Sequence, residues 1–303
     1  MQALSARLIV RVLVSVALLA ALLHYVDMED AWRRLRQVSP WPVAAATLLL
    51  MAGQGLSAVR WSWLARGLGL SVRLARKVEL YFLGMFLSLF LPSTVGGDVA
   101  RGFLLARGRE GAGWAAAASV LLERVNGVGG LSILASICLL FVDAPATLKG
   151  AWFAGVSAYW LGVFTYPFWH RRLPGMLRRW AELPLASPAF RRAWWKGMVI
   201  SLTFQIIVVQ CHVWLGQAAG LEMAWPAYAV MVCVVGLVSA LPVSFNGFGI
   251  REAGYVGFVS WLGGDAGSAA VMSALWVLVL ALAALPGAWI LWRMGGRAAL
   301  SGD

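Results

Sequence analysis

Long apolar stretches alternate with short basic loops along this chain, and two of those stretches are cut in the middle by the same kind of punctuated string. Apolar runs that satisfy the ~20-residue requirement for crossing a bilayer lie at about 8–26, 41–59, 113–142, 151–169, 197–218 and 268–292. They predict six spanning helices. Two further stretches, at about 79–108 and 225–262, are interrupted by LPSTVGGDVAR (Leu91 to Arg101) and LPVSFNGFGIR (Leu241 to Arg251). Proline and glycine break helices, so each string predicts a stop, a turn and a restart. The arms left on either side are roughly 10–17 residues, short for a full span, and each pair is expected to form a re-entrant helical hairpin.

The two strings share Leu-Pro, a Gly five residues after the Pro and an Arg nine after it. They lie 150 residues apart, and that offset also carries the second span onto the fifth and the third onto the sixth, with the first and fourth matching more loosely. Residues 1–150 and 151–303 therefore read as two repeats within a single membrane domain, each holding three spans and one hairpin. Three is odd, so the second half must be inverted relative to the first. The expected fold is an all-α polytopic membrane protein of six transmembrane helices and two re-entrant hairpins, arranged as two inverted repeats. Broken helices that meet near the midplane in such repeats are a recurrent transporter architecture.

Composition agrees, because a 303-residue chain that is 61% hydrophobic and only 13% charged cannot cover itself with a polar surface. Several of its 17 Trp fall where apolar runs meet charge, at Trp32, Trp41, Trp61, Trp63, Trp169, Trp194, Trp195 and Trp292, and are expected to anchor at the interfaces. Cys138, Cys211 and Cys233 lie in apolar runs without paired spacing, which argues against a disulfide framework or a zinc site. Among the histidines only His212 falls inside an apolar segment where a functional role would be plausible.

The formal net charge of +12 does not point to nucleic acid, because the basic residues gather in particular loops. Arg7 and Arg11 lie at the start of the first span. Arg60, Arg66, Arg73, Arg76 and Lys77 follow the second, and Arg107 and Arg109 follow the first hairpin. Seven more fall between Arg171 and Lys196, and Arg293 and Arg297 follow the sixth span. All share one side if the hairpins do not cross, so the positive-inside rule expects both termini in the cytoplasm and the protein in the plasma (inner) membrane. No small-x-small cleavage site follows the first apolar run, which is therefore expected to remain as an uncleaved span.

Charge inside the membrane marks the candidate site. Glu123 falls about 15 Å into the third span at 1.5 Å per residue, close to the bilayer centre, where a charge costs ~2.5–3.5 kcal/mol unless it faces protein or water. Glu123 and Asn126 share a helix face by their spacing, and Arg124 points about 100° away. Asp98 is placed to N-cap the second arm of hairpin one, with Arg101 following. In hairpin two, Asn246, Gly247 and Gly249 predict a turn with exposed backbone, and Arg251 and Glu252 open the next arm. Free N–H groups at an arm's start, at Gly96 and Gly97 and at Gly247 and Gly249, together with Arg101, Arg124 and Arg251, would make an anion site suited to phosphate. Asp98, Glu123, Glu252 and Asn126 would carry protons or pair with the arginines. The plainer reading is that these charges only hold helices together; two broken helices favour a site, since irregular backbone at membrane depth is tolerated where it is buried or lines a cavity.

At FLPSTVGGDVAR (Phe90 to Arg101), LLERVNGV (Leu121 to Val128) and LPVSFNGFGIRE (Leu241 to Glu252) the chain resembles the lysylphosphatidylglycerol synthase transmembrane-region family, also called the flippase-like domain family. The resemblance covers nearly the whole chain in order and spacing. It implies translocation of aminoacylated phosphatidylglycerol or of other lipids, including polyprenyl-linked or hopanoid species. Too few residues follow the last span for the soluble aminoacyl-transferase domain of the fused members, so translocation without synthesis is expected.

The leading expectation is a lipid flippase that moves a phosphate-bearing lipid (anionic, aminoacylated or polyprenyl-linked) by alternating access, with no enzymatic activity, cofactor, metal or nucleic-acid partner. No P-loop pattern is present, which leaves downhill transport or coupling to protons or another ion. A homodimer is an allowed assembly. Two alternatives stay open: a membrane-embedded lipid-modifying enzyme with Asp98 or Glu123 as general base, and a small-solute or ion carrier built on the same repeat.

Overall fold

The computed structural model describes residues 2–91, 96–169, 180, 183–241 and 247–295. Among them are eleven helices and no strand: α1 (Gln2–Tyr25), α2 (Met28–Gln37), α3 (Pro40–Gly67), α4 (Leu74–Phe90), α5 (Gly96–Ala106), α6 (Gly113–Leu139), α7 (Ala146–Trp169), α8 (Pro188–Ala218), α9 (Trp225–Ser239), α10 (Ile250–Trp261) and α11 (Ala266–Arg293). Four of these, α3, α6, α8 and α11, are long and apolar enough to cross a membrane.

Local signals explain where the helices start and stop. Ser39 before α3 and Ser187 before α8 accept hydrogen bonds from the Trp41 and Phe190 N–H groups, and each is followed by a proline at the first helical position, where its missing N–H is not needed. Asp27 and Asp265 do the same for α2 and α11. At the end of α4, Leu91 is extended (φ −84°, ψ 138°), as the residue before a proline must be, and the helix stops there. The arms α4 and α5 and the arms α9 and α10 coincide with the predicted halves of the two interrupted stretches.

The α3–α8 pair forms the most extensive helix contact and the middle of the bundle, and the other contacts occur in matched sets around it. Thus α4 packs on α11 as α9 packs on α6, and α5 lies on α6 as α10 lies on α11. Likewise α3 touches α4 as α8 touches α9, and α3 touches α11 as α8 touches α6. Each pair maps onto its counterpart when the two halves are exchanged. The largest core cluster joins α6, α8, α9, α10 and α11; two smaller ones surround the C-terminal half of α3, one with α4 and α5, the other with the start of α8.

Three sequence expectations change. The second apolar run extends eight residues further as helix, so Arg60 is no loop residue: it sits inside α3, 5% exposed. Its charge leaves the orientation count and enters the protein interior. Trp61 and Trp194 are buried rather than interfacial, whereas Trp41 and Trp292 are 73% and 78% exposed and fit the anchor role. Asp98 is not an N-cap, because α5 already begins at Gly96.

Candidate functional site

Glu123 is the centre of a buried charge network. Its carboxylate is 1% exposed and takes a guanidinium on each oxygen, Arg60 of α3 on Oε1 and Arg101 of α5 on Oε2. Tyr81 of α4 donates its hydroxyl to the same Oε1 at 3.1 Å. Arg101 also reaches Asp98 one turn earlier on α5, at 2.9 Å, and the other Asp98 oxygen accepts from Arg124 Nε. The sequence spacing anticipated this division: Glu123 and Arg124 point to different sides of α6, one to each neighbour.

A second branch ties the network to α8. Arg60 Nη1 donates to Ser201 Oγ at 2.6 Å, and that hydroxyl donates onward to Asn126 Oδ1 at 2.7 Å. The Asn126 amide nitrogen donates to the Trp194 carbonyl at 3.0 Å. Five helices, α3, α4, α5, α6 and α8, are therefore joined through one hydrogen-bonded chain.

Three guanidiniums meet two carboxylates here, leaving one positive charge in excess. The Arg101 guanidinium lies over the faces of Trp61 and Tyr81, with ring centroids 4.9 and 4.6 Å away, so part of its charge is met by aromatic π-systems. Arg101 Nε and Nη1 and Arg60 Nε are buried with no hydrogen-bond acceptor among the described residues. Buried donors without acceptors are uncommon and call for an explanation. The arginine side chains differ in access: Arg101 is 5% exposed and Arg124 is 38% exposed, so the network meets its surroundings at Arg124.

Gly97 sets how closely the two arms of hairpin one approach. A Cβ placed there would fall 2.0 Å from the Gly84 carbonyl oxygen and 2.1 Å from Ser88 Oγ, so no side chain fits. Gly96 packs in the same way against Leu91. Both glycines are required by packing, whatever their N–H groups bind.

Hairpin two is built differently. Gly249 holds φ at +83° before α10, a conformation that disfavours other residues, and Gly247 is similar at +79°. Glu252 accepts the Gly249 N–H at 2.6 Å, so the helix start already carries a carboxylate of its own. Arg251 pairs with that same Glu252 at 2.8 Å and lies over the Phe248 ring. Asn246 lies outside the described residues. Nearby, His212 of α8 donates from Nδ1 to the Val208 carbonyl at 2.8 Å, since a carbonyl only accepts; in the neutral ring its Nε2 then accepts the Tyr255 hydroxyl at 2.9 Å. The Trp276 ring stands 4.2 Å from the imidazole.

The predicted residues therefore fall into two groups. Asp98, Arg101, Glu123, Arg124 and Asn126 come together, while Arg251 and Glu252 form a separate cluster, paired with each other. The two clusters occupy matching places: α3, α5 and α6 in one, α8, α10 and α11 in the other. The half-one cluster is ionic, whereas its counterpart is largely aromatic and neutral. Sequence reading missed Arg60, Tyr81 and Ser201. An arginine directly after the apolar run, with Trp61, Trp63 and Leu64 following it, was the available signal for the first; a single Ser or Tyr in an apolar run carries none.

The family described as "Lysylphosphatidylglycerol synthase TM region" matches residues 8–287. The chain belongs to this family. No match among curated proteins was found. Membership and the apolar helices together make the chain a multi-pass membrane protein, from a family of membrane domains associated with lipid flippase or synthase function. Two of the three motifs that carry the resemblance contribute Asp98, Arg101, Glu123, Arg124 and Asn126 to the ionic cluster, and the third contributes Arg251 and Glu252 to the other.

Proposed function

We propose that the chain translocates a phosphate-bearing lipid between leaflets, with the Arg60–Glu123–Arg101–Asp98–Arg124 network as its head-group site. The observation that carries this reading is the network's charge: three guanidiniums against two carboxylates, with Arg60, Arg101 and Glu123 buried and Arg124 the most exposed of the five. Keeping such a network costs desolvation free energy that a well-packed apolar core would avoid. An incoming phosphate would compete with Asp98 for Arg124 and Arg101, and the spare Arg101 donors would complete its coordination. Released Asp98 is then the natural proton carrier if translocation is coupled to a proton gradient.

In this reading α1, α3, α6, α7, α8 and α11 span the membrane, and α4/α5 and α9/α10 are re-entrant hairpins of an inverted repeat comprising residues 1–150 and 151–303. Arm lengths of 17, 11, 15 and 12 residues favour it, each short of a ~20-residue span. The exchange symmetry of the helix contacts favours it too. Both termini then face the cytoplasm and the protein sits in the plasma membrane, its partner being the lipid itself.

The test is reconstitution into proteoliposomes with head-group-labelled phosphatidylglycerol. Wild-type protein should accelerate leaflet exchange, and Arg124→Gln should slow it roughly tenfold, the equivalent of ~1.4 kcal/mol. No acceleration for any anionic or polyprenyl lipid overturns the proposal, and turnover of a small anion instead would favour the solute-carrier alternative.

A further inference from the structure

A second feature, away from the charge network, bears on where the lipid tail goes. Between α6, α7 and α8 lies a groove of about 760 Å³, within the ~300–1,000 Å³ of ordinary ligand sites. Its walls are apolar and aromatic: Leu121 and Val125 from α6, Phe164 from α7, Trp194 and Trp195 from α8. Leu121, Phe164 and Trp195 are 48%, 57% and 46% exposed, so the groove opens sideways rather than into the bundle.

The groove exists because α7 stands apart. Its substantial contact among the described residues is with α6 alone. Two hydrogen bonds hold it there, Tyr159 hydroxyl to the Val125 carbonyl at 2.7 Å and Trp152 indole to Ser136 at 3.0 Å. Toward α8 the Trp160 and Trp195 rings run parallel with centroids 6.3 Å apart. An apolar gap of this kind inside a membrane is bathed by hydrocarbon.

Two polar features say which hydrocarbon. Arg191, exposed in the first turn of α8, lines the same groove and is the cation among its lining residues. Trp194, 8% exposed, also lines it, and its indole Nε1–H is buried without an acceptor among the described residues. A cation at the end of an apolar slot, with a spare N–H along its wall, matches a phosphate followed by an ester carbonyl and an acyl chain.

We propose that this groove holds one acyl chain of a net-anionic phospholipid whose phosphate sits at Arg191. The inference rests on the lipid reading above and adds a place for the tail beside α6, the helix that supplies Glu123 and Arg124.

The test uses the full chain in phosphatidylcholine nanodiscs containing phosphatidylglycerol with a diazirine midway along one acyl chain, read by mass spectrometry of the cross-linked peptides. Gly162 lines the groove, and a Cβ built there meets nothing within 4 Å, so Gly162→Trp starts in open space and adds its bulk to the slot. Wild type should label on the α6 segment around Leu121 and Val125 and on Phe164; Gly162→Trp should lose that labelling while the lipid-facing Leu48 of α3, 66% exposed, is labelled as before. Arg191→Gln should abolish any preference over a diazirine phosphatidylcholine probe. Unchanged groove labelling in Gly162→Trp, equal wild-type labelling by the two probes, or cross-links from the groove to a second copy of the chain would each overturn the proposal. Leaflet exchange measured on the same variants separates the two readings: groove labelling without exchange removes translocation and keeps the tail site, and exchange intact in an unlabelled groove does the reverse.

Discussion

Arg60 and Arg101, brought from different helices, each take one oxygen of the same buried carboxylate, that of Glu123. Both Glu123 oxygens are thereby engaged; among the described residues Glu123 is the one charged partner of Arg60, while Arg101 is shared between Glu123 and Asp98. Charge, packing and access can be separated by substitution at this point.

Removing the shared carboxylate should be the most damaging single change. Glu123→Gln leaves the Arg60 guanidinium, 6% exposed, without a charged partner among the described residues and Arg101, 5% exposed, with Asp98 alone, and breaking a buried pair from one side costs ~3–5 kcal/mol. Thermal unfolding in detergent should show a large loss for Glu123→Gln. Arg124→Gln, at a side chain 38% exposed, should show a small one. Equal losses would mean that burial does not govern the network.

Ser201→Ala tests the link between α3 and α8. The hydroxyl accepts from Arg60 and donates to Asn126, so its removal strands two buried groups at a cost of ~1–3 kcal/mol. Ser201→Cys, which restores a weak donor and acceptor of similar size, should recover part of that stability in the same unfolding assay.

Hairpin one should not tolerate a methyl group at Gly97. The added carbon would fall 2.0 Å from the Gly84 carbonyl oxygen, a backbone atom that cannot swing aside, so Gly97→Ala should lower the yield of folded protein and its melting temperature. Gly236→Ala is the matched control on α9, where a Cβ meets nothing within 4 Å. Size-exclusion profiles and melting curves of the two variants decide the matter.

Helix α2 is latched to the start of α11. Arg34 donates to Asp30 at 2.5 Å and to Ser268 at 2.9 Å, and it pairs with Asp265 at 3.1 Å. Hydrogen bonds from Arg33 and Arg34 hold the Asp30 carboxyl below its ordinary value of 3.8; the Ser268 N–H, then Arg34, do the same for Asp265. A carboxyl whose folded value is depressed stabilises the latch above its unfolded value and loses that contribution as pH falls through the folded one. The latch should therefore be unchanged from neutral pH down to 3.8 and loosen below it. Spin labels at Glu29 and Leu262, the latter 37% exposed, should report a longer, broader distance only in the acid range, and Arg34→Gln should abolish the transition.

The interrupted apolar stretches and the four arms around the two Leu-Pro strings were legible because their causes are local: a proline forbids helix before it, and a run of apolar residues has a length. Glu123, Arg101, Asp98 and Arg124 were legible as a set because charge is rare in such runs. Arg60 was not, because an arginine at the edge of an apolar run reads equally as the first loop residue or as the last turns of a longer helix. Tyr81 and Ser201 were illegible for a different reason: their single hydroxyls matter only through the partner that packing supplies.

What the sequence by itself determined was the long apolar helices, the breaks in two of the apolar stretches and the presence of charge within them, since each follows from composition and backbone sterics along a few neighbouring residues; the polar helix α2 was not among them. Which charges meet was decided only by the tertiary structure. Helices that are apolar on every face do not announce which side turns inward. The packing of α5 and α6 beside α3 gathers Arg60, Arg101 and Arg124 around Glu123 and Asp98, and the packing of α10 near α8 and α11 leaves Arg251 with Glu252 in a cluster of its own.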